Sequence, residues 1–162
     1  MVAVAALEAS INELYLEAGD GGNDLVVALT EDQKQILVTL WEEDDRFNIL
    51  HKYDLVLAAC GKQRFDAGQD PYQSVGGLVD LRNALVHFKP EWDTEQDFHK
   101  KLEQRLANRF ASSALAAQMT GNIAWFPARC LGAGCAEWAC SVVAKFSTEF
   151  STRLGIRERF PT

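Results

Sequence analysis

Arg82, Asn83 and His87 are three polar side chains with the right types and spacing to act on a phosphate. Arginine is a permanently charged, bidentate clamp for phosphate oxygens. Histidine titrates near neutral pH and can take or give a proton. Asparagine can orient either group. RNA carries its own nucleophile, the 2′-hydroxyl. A catalyst that uses it needs a base at that hydroxyl, an acid at the leaving 5′-oxygen and a cation for the phosphorane.

These residues belong to Asp80-Leu81-Arg82-Asn83-Ala84-Leu85-Val86-His87-Phe88-Lys89-Pro90. The stretch reads as the end of a helix that starts at Asp70-Pro71-Tyr72-Gln73 with an N-cap aspartate and a proline in the first position. Pro90 cannot donate and turns Lys89 away from helical angles, so the helix ends near Phe88. At about 100° per residue, Leu78, Leu81, Ala84, Leu85 and Phe88 share one apolar arc, widened by Val75, Val79 and Val86. Tyr72, Gly76, Asp80, Asn83 and His87 share the remaining arc. Arg82 projects into the apolar arc and needs a partner or a polar edge there. Asn83 and His87 lie one turn apart, within reach of each other.

Arg-Asn-x-x-x-His on a late helix of a small all-helical chain resembles the HEPN domain (the higher eukaryote and prokaryote nucleotide-binding domain). That family's motif is Arg, four to six residues, then His, with a polar residue after the Arg. The likeness covers residues 70–92 in motif and about 1–155 in architecture. It implies a metal-independent endoribonuclease in which two protomers bring their Arg and His together at a dimer interface. Arg82, Asn83 and His87 are then the catalytic set. One chain offers one motif histidine, and a two-fold axis would supply the second. The expected interface takes in Gly76, Asp80, Asn83 and His87. Tyr72 and Asp80, with Lys101, Arg105 and Arg109, form the expected substrate-binding set. The resemblance also admits a cognate antitoxin or regulatory protein as partner. Other members have lost catalysis and serve as interaction modules. A third reading is a nucleotide-binding bundle with Arg82 as the phosphate clamp.

The elements around this helix read as an all-α chain, an up-and-down bundle of four to five main helices with short accessory helices, in one domain over residues 1–162. Residues 2–18 have helical spacing at Ala3, Leu7, Ile11 and Leu14 and no cap, as if the chain opened mid-helix. Thr30-Glu31-Asp32-Gln33 is a capping box. A helix is expected from about Arg46 to Ala59, with Gly61 as its C-cap. Gly61–Gln69 is a polar loop whose Phe65 tucks into the core. Asp93-Thr94-Glu95-Gln96 opens a further helix with Phe98, Leu102, Leu106 and Phe110 as its stripe. Lys101, Arg105 and Arg109 line one face of it. Ser112–Gly121 reads as a short helical turn or two, and Asn122–Gly134 as an ordered loop. The last helix runs from about Cys135 to Leu154, closed by Gly155. Leu25–Leu29 is the sole strand candidate.

Composition narrows the function classes. The chain has 162 residues, 48% apolar and 24% charged, as a globular protein does. A net charge of −7 argues against a surface coated in nucleic acid, while leaving room for a local basic site. Between Arg82 and Arg109 there are six basic and five acidic residues, so the acidic excess lies elsewhere. No stretch is long enough to span a membrane, and the N-terminus lacks the basic start of a signal peptide. A cytoplasmic location with reduced thiols is the expectation. Cys60, Cys130, Cys135 and Cys140 lack the spacing of a zinc ribbon. A zinc site from Cys130, Cys135 and one histidine is the minor alternative to having no metal. No cofactor is expected: the phosphate-cradling glycine motifs and the G-x-S-x-G nucleophile elbow are absent.

Overall fold

The computed structural model describes residues 1–20, 26–42, 48–88, 97–113 and 125–158. Among them every regular element is helical: α1 (Val2–Gly19), α2 (Glu31–Glu42), α3 (Ile49–Ala59), α4 (Tyr72–Val86), α5 (Asp97–Leu106), a wide turn at Trp125–Arg129, and α6 (Ala133–Leu154). The all-α expectation holds. Of the strand candidate, Leu25 lies outside the described residues, and residues 26–29 form a turn, closed by the Leu29 N–H donating to the Val26 carbonyl at 3.0 Å. None of the described helices is long and apolar enough to cross a membrane.

The chain packs as two compact units, Met1–Gln73 with Val143–Thr162, and Ser74–Val142. The division falls inside α4 and inside α6.

In the first unit, α1 packs on α2 and both meet α3. Val4, Leu7, Ile11, Leu14, Tyr15 and Ala18 are the buried stripe of α1, at the helical spacing its sequence shows. Its first turn has no side-chain cap. The capping box of α2 forms in both directions: Thr30 N–H donates to Gln33 Oε1 at 3.0 Å, and Gln33 N–H donates to Thr30 Oγ1 at 3.3 Å. Gln33 also donates to the Cys60 carbonyl at 3.1 Å, which ties the start of α2 to the end of α3. α3 starts at Ile49, later than the expected start near Arg46, because the Asn48 side chain caps it by accepting from His51 N–H at 3.0 Å. Gly61 ends it at φ 67°, with Lys62 N–H returning to the Leu57 carbonyl at 2.7 Å. Tyr53 meets Phe146 and Phe150 edge-on, with ring centroids 4.9 and 4.7 Å apart, and its hydroxyl donates to the Leu7 carbonyl at 2.8 Å. Phe65 is buried as expected and stacks on Phe146 at 4.7 Å. Arg153 covers the outer face of Phe65, 4.3 Å from the ring centroid, and holds the loop through the Gln63 and Arg64 carbonyls.

In the second unit, the core is built from Leu81 and Ala84 of α4, Leu102 and Leu106 of α5, Phe126 and Cys130 near the wide turn, and Cys135 of α6. Leu85, Phe110, Trp125 and Trp138 pack on its edge. α6 enters along residues 111–113 at very close range. A Cβ on Gly134 would stand 2.9 Å from the Ala111 carbonyl oxygen, and one on Gly132 would stand 3.1 Å from the Ser113 Cα. A hydrogen bond from Ser113 N–H to the Arg129 carbonyl at 2.8 Å fixes the same contact.

Candidate functional site

α4 begins at Tyr72 and ends at Val86, with His87 in the closing turn. Pro71 is buried just outside the helix rather than inside its first turn. Val75, Leu78, Leu81 and Ala84 are buried, so the core side of the apolar arc is as the periodicity describes. The arc opens toward its end: Leu85 is half-buried, and Val86 and Phe88 are 49% and 46% exposed. The opposite arc opens in the same direction. Gly76 is buried, Asp80 and Asn83 are half-buried, and His87 is exposed. Arg82, expected within the apolar arc, is half-buried.

The motif residues are therefore held on the last turns of one helix. The His87 backbone N–H donates to the Asn83 carbonyl at 2.9 Å, which continues the helical ladder through the motif. Among the described residues, no hydrogen bond joins the side chains of Asn83 and His87.

The expected substrate-binding set is only partly gathered. Arg105 donates to Asp80, which joins α5 to α4. Lys101 is exposed on α5. Arg109 does not continue the face of Lys101 and Arg105, which corrects the expectation of one cationic line. α5 stops at Leu106, and Asn108 turns the chain with φ 62°, a conformation asparagine tolerates better than most residues. Arg109 instead donates to Ser74 Oγ at 3.0 Å. Tyr72 belongs to the first unit. Its hydroxyl donates to Asp54 at 3.0 Å, and its ring lies 5.7 Å from Phe65 and 6.3 Å from Phe146. Burial, and then the Asp54 carboxylate, push the Tyr72 phenol up to about 12. That is the environment of a packing tyrosine.

His99 is a residue that the motif reading passes over. Its ring lies 4.9 Å from Phe126 and nearly parallel to Phe88 at 6.2 Å, beside the end of α4. Its only signal in the sequence is its place one residue after Phe98 at the start of α5. Cys130 and Cys135 are both buried in the apolar cluster of this unit. Burial pushes the Cys130 thiol up to about 12, with the neighbouring Cys135 adding to the rise, and burial raises Cys135 as well. Metal ligation requires thiolates, which this apolar setting disfavours. Among the described residues no three metal-ligating side chains stand together.

Gly77 brings α4 and α5 together. A Cβ there would stand 2.9 Å from Leu106 Cδ2 and 3.8 Å from Arg105 Nε.

Compared with protein-family models, with curated proteins and with solved structures, the chain has no match.

Proposed function

We propose that the chain is a metal-independent endoribonuclease of the HEPN type, acting as a homodimer. The observation that carries this reading is the exposure pattern at the end of α4. His87 is exposed between exposed Val86 and Phe88, one turn beyond half-buried Arg82 and Asn83. A titratable side chain flanked by two open apolar ones suits a face that a second copy covers. His87 abstracts the proton of the RNA 2′-hydroxyl, or delivers a proton to the leaving 5′-oxygen. The 2′-oxygen attacks phosphorus and the bond from phosphorus to the 5′-oxygen breaks. A 2′,3′-cyclic phosphate and a 5′-hydroxyl are left. Arg82 holds the phosphate oxygens, and Asn83 orients the histidine or the phosphate.

The test is incubation of the purified protein with mixed RNA in EDTA, followed by analysis of fragment ends. Cyclic phosphate ends that disappear in His87→Ala support the reading. EDTA-sensitive cleavage, or full activity in a folded His87→Ala protein, rules it out. A second reading, a non-catalytic binding module with the same helical build, is favoured by the Asp80–Arg105 pair. That pair removes a cation from the expected RNA path. Inactivity of a dimeric wild-type protein on varied RNAs selects this second reading.

A further inference from the structure

The second unit holds a cleft that the motif does not use. Its volume is about 260 Å³, and Glu103, Asn108, Phe110, Ser112, Trp125 and Arg129 line it. Phe110 and Trp125 are half-buried, with ring centroids 6.4 Å apart at a 32° tilt, so they offer flat apolar surface to the cleft. Trp138 backs Phe110 at 5.1 Å and keeps it from collapsing inward. Glu103 and Arg129 are exposed, and among the described residues neither side chain has a hydrogen-bond or ion-pair partner. Two opposite charges therefore share one cleft without neutralising each other. Asn108 reaches it from the turn after α5, held at φ 62°.

Each lining group restricts the ligand. A carboxylate only accepts hydrogen bonds, so Glu103 needs a ligand edge with adjacent N–H donors. A guanidinium only donates and carries a fixed charge, so Arg129 needs an anion, best a phosphate. Aromatic faces between them favour a flat π-system. The volume lies just under the roughly 300–1,000 Å³ of pockets that enclose a drug-sized ligand, so a ligand would enter by its ring and leave its anion at the rim. Guanine presents N1–H and the 2-amino group side by side to a carboxylate. Adenine presents a ring acceptor beside its amine, which a carboxylate repels.

We propose that this cleft binds a guanine nucleotide, with the base against Trp125 and Phe110, its donor edge on Glu103 and its phosphate on Arg129. The site is separate from Arg82, Asn83 and His87, and the inference does not rest on the ribonuclease reading.

The experiment is calorimetric titration of the full chain with GMP, AMP, guanosine, inorganic phosphate and phenylalanine. By the usual ligand efficiency of a molecule of its size, GMP is expected to bind with a Kd of about 5 micromolar or weaker. AMP, guanosine and inorganic phosphate bind at least tenfold more weakly. Arg129→Ala reduces GMP affinity at least tenfold, Glu103→Gln removes the preference for GMP over AMP, and Trp125→Phe retains binding. Both charged residues are exposed, and circular dichroism checks that their variants keep the fold. His87→Ala binds GMP as the wild type does. The proposal is overturned by silence with millimolar GMP, or by AMP or phosphate binding as tightly as GMP. Binding of phenylalanine in place of GMP, with its ammonium on Glu103 and its carboxylate on Arg129, overturns it too, as does GMP binding indifferent to Arg129→Ala.

Discussion

The Arg105 guanidinium is paired with the Asp80 carboxylate, which brings a candidate RNA-binding cation of α5 onto an acidic residue of the motif helix. Arg105 spends its charge on a protein partner, and Arg109 spends a donor on Ser74. If RNA passes this face, Asp80 is a brake on binding. Asp80→Asn is expected to strengthen RNA binding and to steepen its salt dependence by about 0.7 in log–log slope, the value for one added phosphate contact on a single strand. The stability cost should be small, about 0.2–1 kcal/mol, because both side chains are more than a third exposed. Binding isotherms at several salt concentrations check this. An unchanged slope removes Arg105 from the RNA path.

The motif histidine and its neighbour are separable. Removing a positioned acid–base group costs about 10²–10⁴-fold in rate. His87→Ala should lose cleavage by that factor with unchanged helix content, since the side chain is exposed. His99→Phe keeps the ring contacts with Phe126 and Phe88 and should cleave as the wild type does. Arg82→Lys keeps the charge and loses the fork, and should lose most of the rate while folding normally. Equal losses in His87→Ala and His99→Phe would place both histidines in one site and remove the reason for a dimer.

Local signals were legible in the sequence where one residue decides the backbone. The Thr30–Gln33 box and the stops at Gly61 and Gly155 lie where their chemistry requires, and the buried stripes of α1 and α6 follow their spacing. Asn48 is equally capable of capping, but a helix boundary set near Arg46 places it inside the first turn and hides it. What spacing alone cannot show is where a helix stops without a proline or glycine. The i, i+4 pattern of Lys101, Arg105 and Arg109 runs on past Leu106, while the chain turns at Asn108. Nor can it show the cleft. Glu103, Asn108 and Ser112 come from one stretch of chain and Trp125 and Arg129 from another, and tertiary packing alone joins them.

The two close-approach glycines should respond differently to a methyl group. At Gly134 the added Cβ meets backbone, the Ala111 carbonyl oxygen at 2.9 Å and nitrogen at 3.2 Å, which cannot step aside. Gly134→Ala should destabilise by about 1–3 kcal/mol, the usual range for overpacking. At Gly77 the obstacle is the end of the Leu106 side chain, and the helix gains about 1 kcal/mol from alanine in place of glycine. Gly77→Ala should be close to neutral. Urea unfolding of both variants measures the difference, and a Gly77→Ala loss larger than that of Gly134→Ala contradicts the packing described.

Tyr72 makes the first unit sensitive to alkali. Its phenol is raised from 10 to about 12 by burial and by the hydrogen bond to Asp54. A group whose folded pKa is raised stabilises fully below its unfolded value and loses that contribution as pH rises through the folded value. The contribution is thus intact at neutral pH and falls away between about pH 10 and 12. Tyr72→Phe should be somewhat less stable at pH 7, through loss of the bond to Asp54, and should show a shallower decline across that window. Parallel pH profiles of the thermal midpoint that differ only by a constant offset would mean that Tyr72 does not titrate with folding.

The four cysteines should separate by reactivity. Cys60, Cys130 and Cys135 are buried, and burial raises each thiol pKa, so the thiolate that attacks a disulfide reagent is scarce and shielded. Cys140 is exposed on α6. In the native protein at pH 7.5 (a pH of about that value keeps the reagent stable and the buried thiols protonated), Ellman's reagent should label one thiol quickly and the others only as the chain opens. Cys140→Ser should remove the fast phase and leave the slow one. Denaturant should expose all four at similar rates. A fast phase that survives Cys140→Ser would show that the Cys130–Cys135 cluster opens readily in the native state, and the packing of the second unit's core around Phe126 would need revision.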